Sequence, residues 1–591
     1  MRMNRNRGQM LKTAVLTLGL LLAGRGLPAA ELSPEDDASP WGMCSSGESF
    51  RDYPKFNPPL AKAGVKWIRM FPEWSGIQPK KGEWQWETAD ALVANAKANN
   101  LHLSGGWCYF APWASATGDT RTGPIKDIQF WKDYVGATVE RYRHDIKYWE
   151  VWNEFNGTFY SGRTWEQKVK DYAALTVAAY DATKKADPSV KVGIGVANFD
   201  VAFLDAAIKA GAAGHFDFVC VHPYENLVAA MDNGEAGYLS MAGSLRKMLA
   251  DNQQRPDIQL WITEIGGEGG ATAKVEPEKE ARQAEMLAKA YLLSLAQGFS
   301  KIYWFEARYP ADPFSIIRAD WTPRPAYDTY QAMTRLLGVA PHSVGWLKVG
   351  ADGSGYGFMF QGANGPVLTA WAPSGKELKL KFAAAVKVVD LAGKETALPA
   401  GEELTLARRP VFILDVPASL VQQAQANAGK PYPWGGDYSR AKVVTCKLGV
   451  TNIEDGLIQK KLETTTVVND LVESWRRPNF KNPALHGEGH YVYFRTDPKF
   501  APFGITTLEV TAVVRRLAAD KPAAVDLCYE SLKGYRQAGG RYTIPADEQW
   551  HEATWKLTDA NFVGQWGFNF RLDALASPNE FLIKEVRVGK P

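Results

Sequence analysis

A chain of 591 residues is too long for one hydrophobic core, and at roughly 100–200 residues per domain it predicts about three to four domains. Its 46% hydrophobic and 23% charged residues describe an ordinary globular protein, and a net charge of only +3 argues against a nucleic-acid partner. Five cysteines are too few for a disulfide scaffold, and without CxxC pairs or clustered histidine ligands no metal site is predicted.

The N-terminus reads as an export signal. Arg2, Arg5, Arg7 and Lys12 precede an apolar run from Ala14 to Ala23, and Pro28-Ala29-Ala30 offers small residues for cleavage. The run is short for a bilayer span, no cysteine follows it to carry a lipid, and no later segment looks transmembrane. Residues 1–30 are therefore expected to be removed, leaving a secreted or periplasmic protein with no membrane insertion.

From Trp41 to about Gly338, strand-like runs alternate with helix-period segments. The strands are expected at 41–45, 65–70, 101–107, 148–152, 190–195, 216–222, 259–263 and 301–305. Amphipathic helices are expected at 87–99, 130–143, 164–185 and 277–297, with a last one at 325–337. Eight strand–helix units over this length predict an α/β fold, the (β/α)8 TIM barrel. An open doubly wound sheet is the competitor, weakened because no Gly-rich phosphate loop follows the first strand.

Beyond Gly338 short alternating runs (355–361, 366–371, 379–382, 386–390, 410–416) between Gly, Pro and Asp turns predict a small β-sandwich over 339–418. The polar, Pro- and Gly-containing stretch QQAQANAGKPYPWGGDY reads as part of a linker, 419–441. From 442 to 591 a second β-sandwich follows, with strands at 443–448, 490–495, 507–514, 524–529, 551–556, 566–572 and 581–588. Its Trp475, Tyr491, Tyr493, Tyr535, Trp550, Trp555 and Trp566 make it a candidate carbohydrate-binding domain, although strand alternation puts about half of them in its core. Cys446 and Cys528 could bridge in an oxidising compartment. His486 and His490, flanking Gly-Glu-Gly, suit a loop better than a helical metal-binding pair.

Two runs carry chemistry: Tyr148-Trp-Glu-Val-Trp-Asn-Glu154 and Gln259-Leu-Trp-Ile-Thr-Glu264. Each is an apolar, aromatic strand ending in a glutamate, and a carboxylate at a buried strand tip is costly unless paired or hydrogen-bonded. Barrel sites sit at the C-terminal strand ends. Those ends bring together Cys44, Arg69, Trp107, Asn153-Glu154, His222-Pro-Tyr224, Glu264 and Trp304-Phe305-Glu306. Two carboxylates facing one another are the minimal machinery for breaking a glycosidic bond.

The chain resembles the clan A glycoside hydrolases. The resemblance rests on Trp152-Asn153-Glu154 ending strand four and Thr263-Glu264 ending strand seven. Further matches are Gly64-Val-Lys-Trp-Ile-Arg69, Trp74-Ser-Gly-Ile-Gln-Pro79 with Gly82, His222-Pro-Tyr224 and Tyr303-Trp-Phe305. Within the clan the chain looks most like family 39 and its relatives.

The resemblance implies a secreted, retaining O-glycosyl hydrolase acting on a poly- or oligosaccharide, with neither metal nor organic cofactor. Glu154 would be the general acid/base and Glu264 the nucleophile. Asn153 would contact the substrate 2-hydroxyl, Arg69 would orient Glu264, and His222 or Tyr224 would bond it too. Trp304 and Trp107 are candidate sugar platforms, and Trp74 and Trp113 candidate cleft residues. A non-hydrolytic glycan-binding protein and a transglycosylase fit the same residues, as do several sugars. Arg308 keeps a uronic substrate open.

Overall fold

The computed structural model describes residues 32–45, 51–460, 464–469, 474–482, 485 and 488–591. The proposed export signal and His486 lie outside the described residues. Eight parallel strands close into a barrel: β1 (Trp41–Cys44), β2 (Trp67–Arg69), β3 (His102–Trp107), β4 (Tyr148–Val151), β5 (Lys191–Ala197), β6 (Phe218–His222), β7 (Gln259–Ile265) and β8 (Lys301–Trp304). The competing open sheet is excluded, because β8 pairs back onto β1. The helices Pro277–Gln297 and Pro325–Leu337 begin at prolines that give up no intrahelical bond there. Each also ends at a positive-φ glycine, Gly298 or Gly338. Among the described residues no helix is long and apolar enough to cross a membrane.

Strand alternation sorts the side chains into two layers. Trp67, Tyr148, Phe218, Cys220, Trp261 and Tyr303 fill the barrel interior. Their sequence neighbours Ile68, Trp149, Val219, Leu260, Ile262, Ile302 and Trp304 face outward to the helices. The short helix Pro34–Ala38 closes the N-terminal end of the barrel. There the Tyr148 hydroxyl donates to Asp37 Oδ1 at 2.7 Å, and buried Lys301 Nζ donates to the Asp37 carbonyl at 2.6 Å and lies 3.9 Å over the Trp67 ring.

Two further antiparallel assemblies follow. A six-stranded sheet and a two-stranded ribbon span His342–Leu414, and a seven-stranded and a six-stranded sheet span Val443–Gly589. The stretch read as a linker is partly helical and is anchored to its neighbours at a few points, although most of it is exposed. Ala418–Ala426 forms a helix whose Ala424 backbone lies against Gly345. Tyr432 donates to the Ala296 carbonyl at 2.6 Å and Trp434 to that of Gly355 at 3.1 Å. Its polar residues face solvent while its aromatics are held inside, a distinction that composition alone does not make. Cys446 and Cys528 are free, buried and in different sheets.

Candidate active site

Local backbone geometry aims the two glutamates. Past β4 the chain turns through left-handed φ values at Trp152 (66°) and Glu154 (50°), a conformation that costs energy for non-glycine residues and clusters at functional sites. In β7 a register shift between Ile262 and Ile265 breaks the alternation, so Thr263 and Glu264 both reach the barrel axis. One carboxylate oxygen each of Glu154 and Glu264 and one His222 ring nitrogen all lie within 4.8 Å of one another. Both carboxylates keep some access to solvent, with side chains 20% and 13% exposed.

Arg69 organises the nucleophile side. Its Nη1 donates to Glu264 Oε1 at 2.6 Å, Nη2 to Asn153 Oδ1 at 2.9 Å and Nε to Glu150 Oε2 at 2.8 Å. The Tyr224 hydroxyl donates to Glu264 Oε2 at 3.0 Å. Burial alone would raise the Glu264 carboxyl, but His222, Arg69 and Tyr224 outweigh it and hold it below the usual carboxylate range. Burial and the Glu264 charge push the Tyr224 hydroxyl well up, which keeps it a donor.

His222 organises the acid/base side. Its Nδ1 lies 2.9 Å from Glu154 Oε1 and its Nε2 3.0 Å from Thr263 Oγ1. Thr263 spends its own proton on Glu150 Oε1 at 3.2 Å, so toward His222 it accepts, and Nε2 must carry hydrogen. This network assigns the ring; one proton then occupies the Nδ1–Oε1 contact, shared between His222 and Glu154. Burial alone would lower the imidazole, and the Glu264 and Glu154 charges instead hold it above its ordinary value.

The sequence reading gave no role to Glu150 or Tyr109, and named Thr263 only as part of the Thr263-Glu264 motif. Glu150 is fully buried on the inward parity of β4, and a charged residue inside Tyr-Trp-Glu-Val-Trp was the available signal. Tyr109 accepts from Asn153 Nδ2 at 3.2 Å and stacks on Phe159 at 5.6 Å, but nothing in its local sequence marks it.

Four expectations are corrected. Trp107 and Trp304 offer no face to a sugar, since both are fully buried on the outward parity of their strands. Trp107 stacks on Trp149 at 5.0 Å and donates to Thr138 Oγ1 at 2.9 Å. The half-buried aromatic at the inner tip of strand eight is Phe305, edge-on to Tyr224 at 6.4 Å. Trp74 is likewise core, stacked on Tyr134, and Glu306 is buried. Arg308 is occupied by Asp52, by the carbonyls of Arg318 and Ala319 and by the Trp321 ring, so it carries no case for a uronic substrate.

The Glu154, His222 and Glu264 spacing could hold a cation. Arg69 already stands 2.6 Å from Glu264, so a divalent ion would meet a fixed positive charge. The donor set fits a paired acid and nucleophile better than a metal centre.

The fold and the sequence likenesses agree with this site. The barrel with trailing antiparallel domains is the architecture of a family 39 glycoside hydrolase from Bacteroides cellulosilyticus WH2, with a TM-score of 0.53 and 21% identity over 64% of this chain and 81% of that one. The family model described as Glycosyl hydrolase family 10 matches residues 72–199, which include Asn153 and Glu154. Residue-level relatives are Endo-1,4-beta-xylanase 2 of Claviceps purpurea, 28% identical over 147 residues (23% of this chain, 43% of that protein), and Endo-1,4-beta-xylanase A of Halalkalibacterium halodurans, 32% identical over 101 residues (14% and 25%). The chain spans less than half the length of these curated relatives. The resemblance to the clan A glycoside hydrolases is borne out by these likenesses together.

Proposed function

We propose that the protein is an exported retaining glycoside hydrolase that cleaves a β-linked poly- or oligosaccharide, with β-1,4-xylan the first substrate to test because both sequence relatives carry that name. The observation that carries this reading is that one carboxylate oxygen of Glu154 and one of Glu264 come within 4.8 Å of each other at the open mouth of the barrel. A gap near ~5 Å suits double displacement, whereas inversion needs about 6.5 Å or more to seat a water.

In the first step Glu264, held ionised and oriented by Arg69 and Tyr224, attacks the anomeric carbon. Glu154 gives its proton to the leaving oxygen as the glycosidic bond breaks, and a glycosyl ester of Glu264 results. In the second step Glu154 takes a proton from water, the hydroxide attacks the same carbon, and Glu264 leaves as carboxylate. His222, 2.9 Å from Glu154 Oε1 through its Nδ1, holds the acid/base carboxyl in place between the two steps. Asn153, clamped between Arg69 and Tyr109, presents its amide to the sugar 2-hydroxyl.

The test is product analysis on a glycan panel. Glu264→Ala lowers turnover by orders of magnitude, and azide restores part of it with inverted product. Glu154→Gln spares activated aryl glycosides, whose leaving groups need little protonation. Wild-type turnover in Glu264→Ala would end the proposal.

A further inference from the structure

Residues 566–572 read as one strand, yet the strand begins only at Phe570 and residues 561–569 form a loop. That loop is fixed from both sides. From within its own domain, the buried Glu530 carboxyl accepts from the backbone of Gly564 at 2.9 Å and of Gln565 at 3.0 Å, and from Asn569 Nδ2 at 3.0 Å. From the barrel, Phe199 N donates to the Gln565 carbonyl at 3.3 Å and Asn226 Nδ2 to that of Gly564 at 2.9 Å. Gly567 abuts the backbone of Glu225 so closely that a Cβ would lie 2.6 Å from its carbonyl oxygen.

These barrel partners are rim residues. Phe199 follows β5, Glu225 is the residue after Tyr224, and Tyr224 bonds Glu264. Lys533 reaches Glu166, at the head of the helix after β4, at 3.3 Å. The C-terminal domain therefore stands over the loops of β4, β5 and β6, the side of the mouth that carries Glu154. A general acid faces the departing sugar, so this is the leaving-group side of the cleft.

Trp566 is at the crest of the loop. Among the Phe, Tyr and Trp side chains of the described residues it alone is exposed, at 39%. Its neighbours on both sides are locked and its carbonyl accepts from Lys460 Nζ at 3.2 Å, so the ring is held on a rigid support. Trp475, Tyr493 and Trp555, by contrast, are buried within the domain.

We propose that the C-terminal domain is a built-in wall of the substrate cleft, and that Trp566 is a stacking platform for sugar units beyond the leaving-group residue. This rests on the hydrolase reading above and adds a specificity determinant to it. The domain acts at the reaction site rather than as a tethered module that finds polysaccharide elsewhere.

The test uses the full chain carrying Glu264→Gln, which binds without turnover, titrated calorimetrically with xylo-oligosaccharides from the disaccharide to the hexasaccharide. Affinity rises with length in this parent. Adding Trp566→Ala weakens the hexasaccharide by about tenfold and the disaccharide by less than about twofold, and Trp566→Phe recovers most of the loss. An equal loss at every length, no loss at any length, or a parent that binds none of the series would overturn the proposal. Failure of the hydrolase reading shows separately, as absence of cleavage by the wild-type protein.

Discussion

Replacing Thr263 by valine keeps the side-chain shape and removes one hydroxyl from the line Glu154–His222–Thr263–Glu150. Two contacts vanish: the acceptor for His222 Nε2 at 3.0 Å and the donor to Glu150 Oε1 at 3.2 Å. Glu150 keeps Arg69, but the Nε2–H, on a side chain only 1% exposed, is left unsatisfied. Such a buried orphan costs about 1–3 kcal/mol, which at roughly 2–4 °C per kcal/mol lowers the melting midpoint by a few to about 10 °C. The catalytic effect follows from the loss of the same anchor. Without Thr263 the imidazole loses the contact that fixes its far side, so the 2.9 Å Nδ1–Oε1 contact that positions Glu154 weakens and the general acid is misplaced. General-acid help is worth about 100- to 10,000-fold, so turnover of an unactivated oligosaccharide falls within that range while an aryl glycoside with a good leaving group loses far less. The assay is kcat on the two substrates beside a thermal melt. Equal losses on both substrates, or wild-type kcat on the oligosaccharide, would refute the positioning role of Thr263.

Trp107→Ala removes a large core side chain and costs about 3–5 kcal/mol, read as a lower urea midpoint, whereas a platform role would show as a raised KM with stability intact. The raised imidazole of His222 stabilises the fold fully below pH ~6.5, and that stabilisation is lost as pH rises through its higher folded value; the pH dependence of the melting midpoint over this window should flatten in His222→Gln. Burial pushes Lys301 down to about 7, against ~10.4 in the unfolded chain, so its penalty is full below pH 7 and is relieved as pH rises toward 10; Lys301→Met should remove that rise from the stability profile. Glu150→Gln leaves Arg69 with one carboxylate in place of two and should cut kcat by about 10- to 100-fold, with wild-type kinetics refuting its positioning role.

Sequence periodicity alone determined the eight-stranded barrel and its two terminal glutamates, because alternation and strand-end position are local properties repeated along the chain. The helices at 277–297 and 325–337 were legible to the residue, since proline and glycine mark their ends chemically. Arg69, Asn153, His222 and Tyr224 were legible as strand tips that converge once a barrel closes. What tertiary structure decided was direction. Trp107 and Trp304 lie at strand ends like Arg69, yet a one-residue difference in parity turns them outward to the helices while Arg69 points to the axis. The bulge in β7 turns Thr263 and Glu264 the same way, and no pattern of hydrophobicity encodes that exception. Glu150, Tyr109 and the loop bearing Trp566 acquire their roles from partners 81, 44 and 338 positions away in the chain, a range over which only the folded backbone brings groups together.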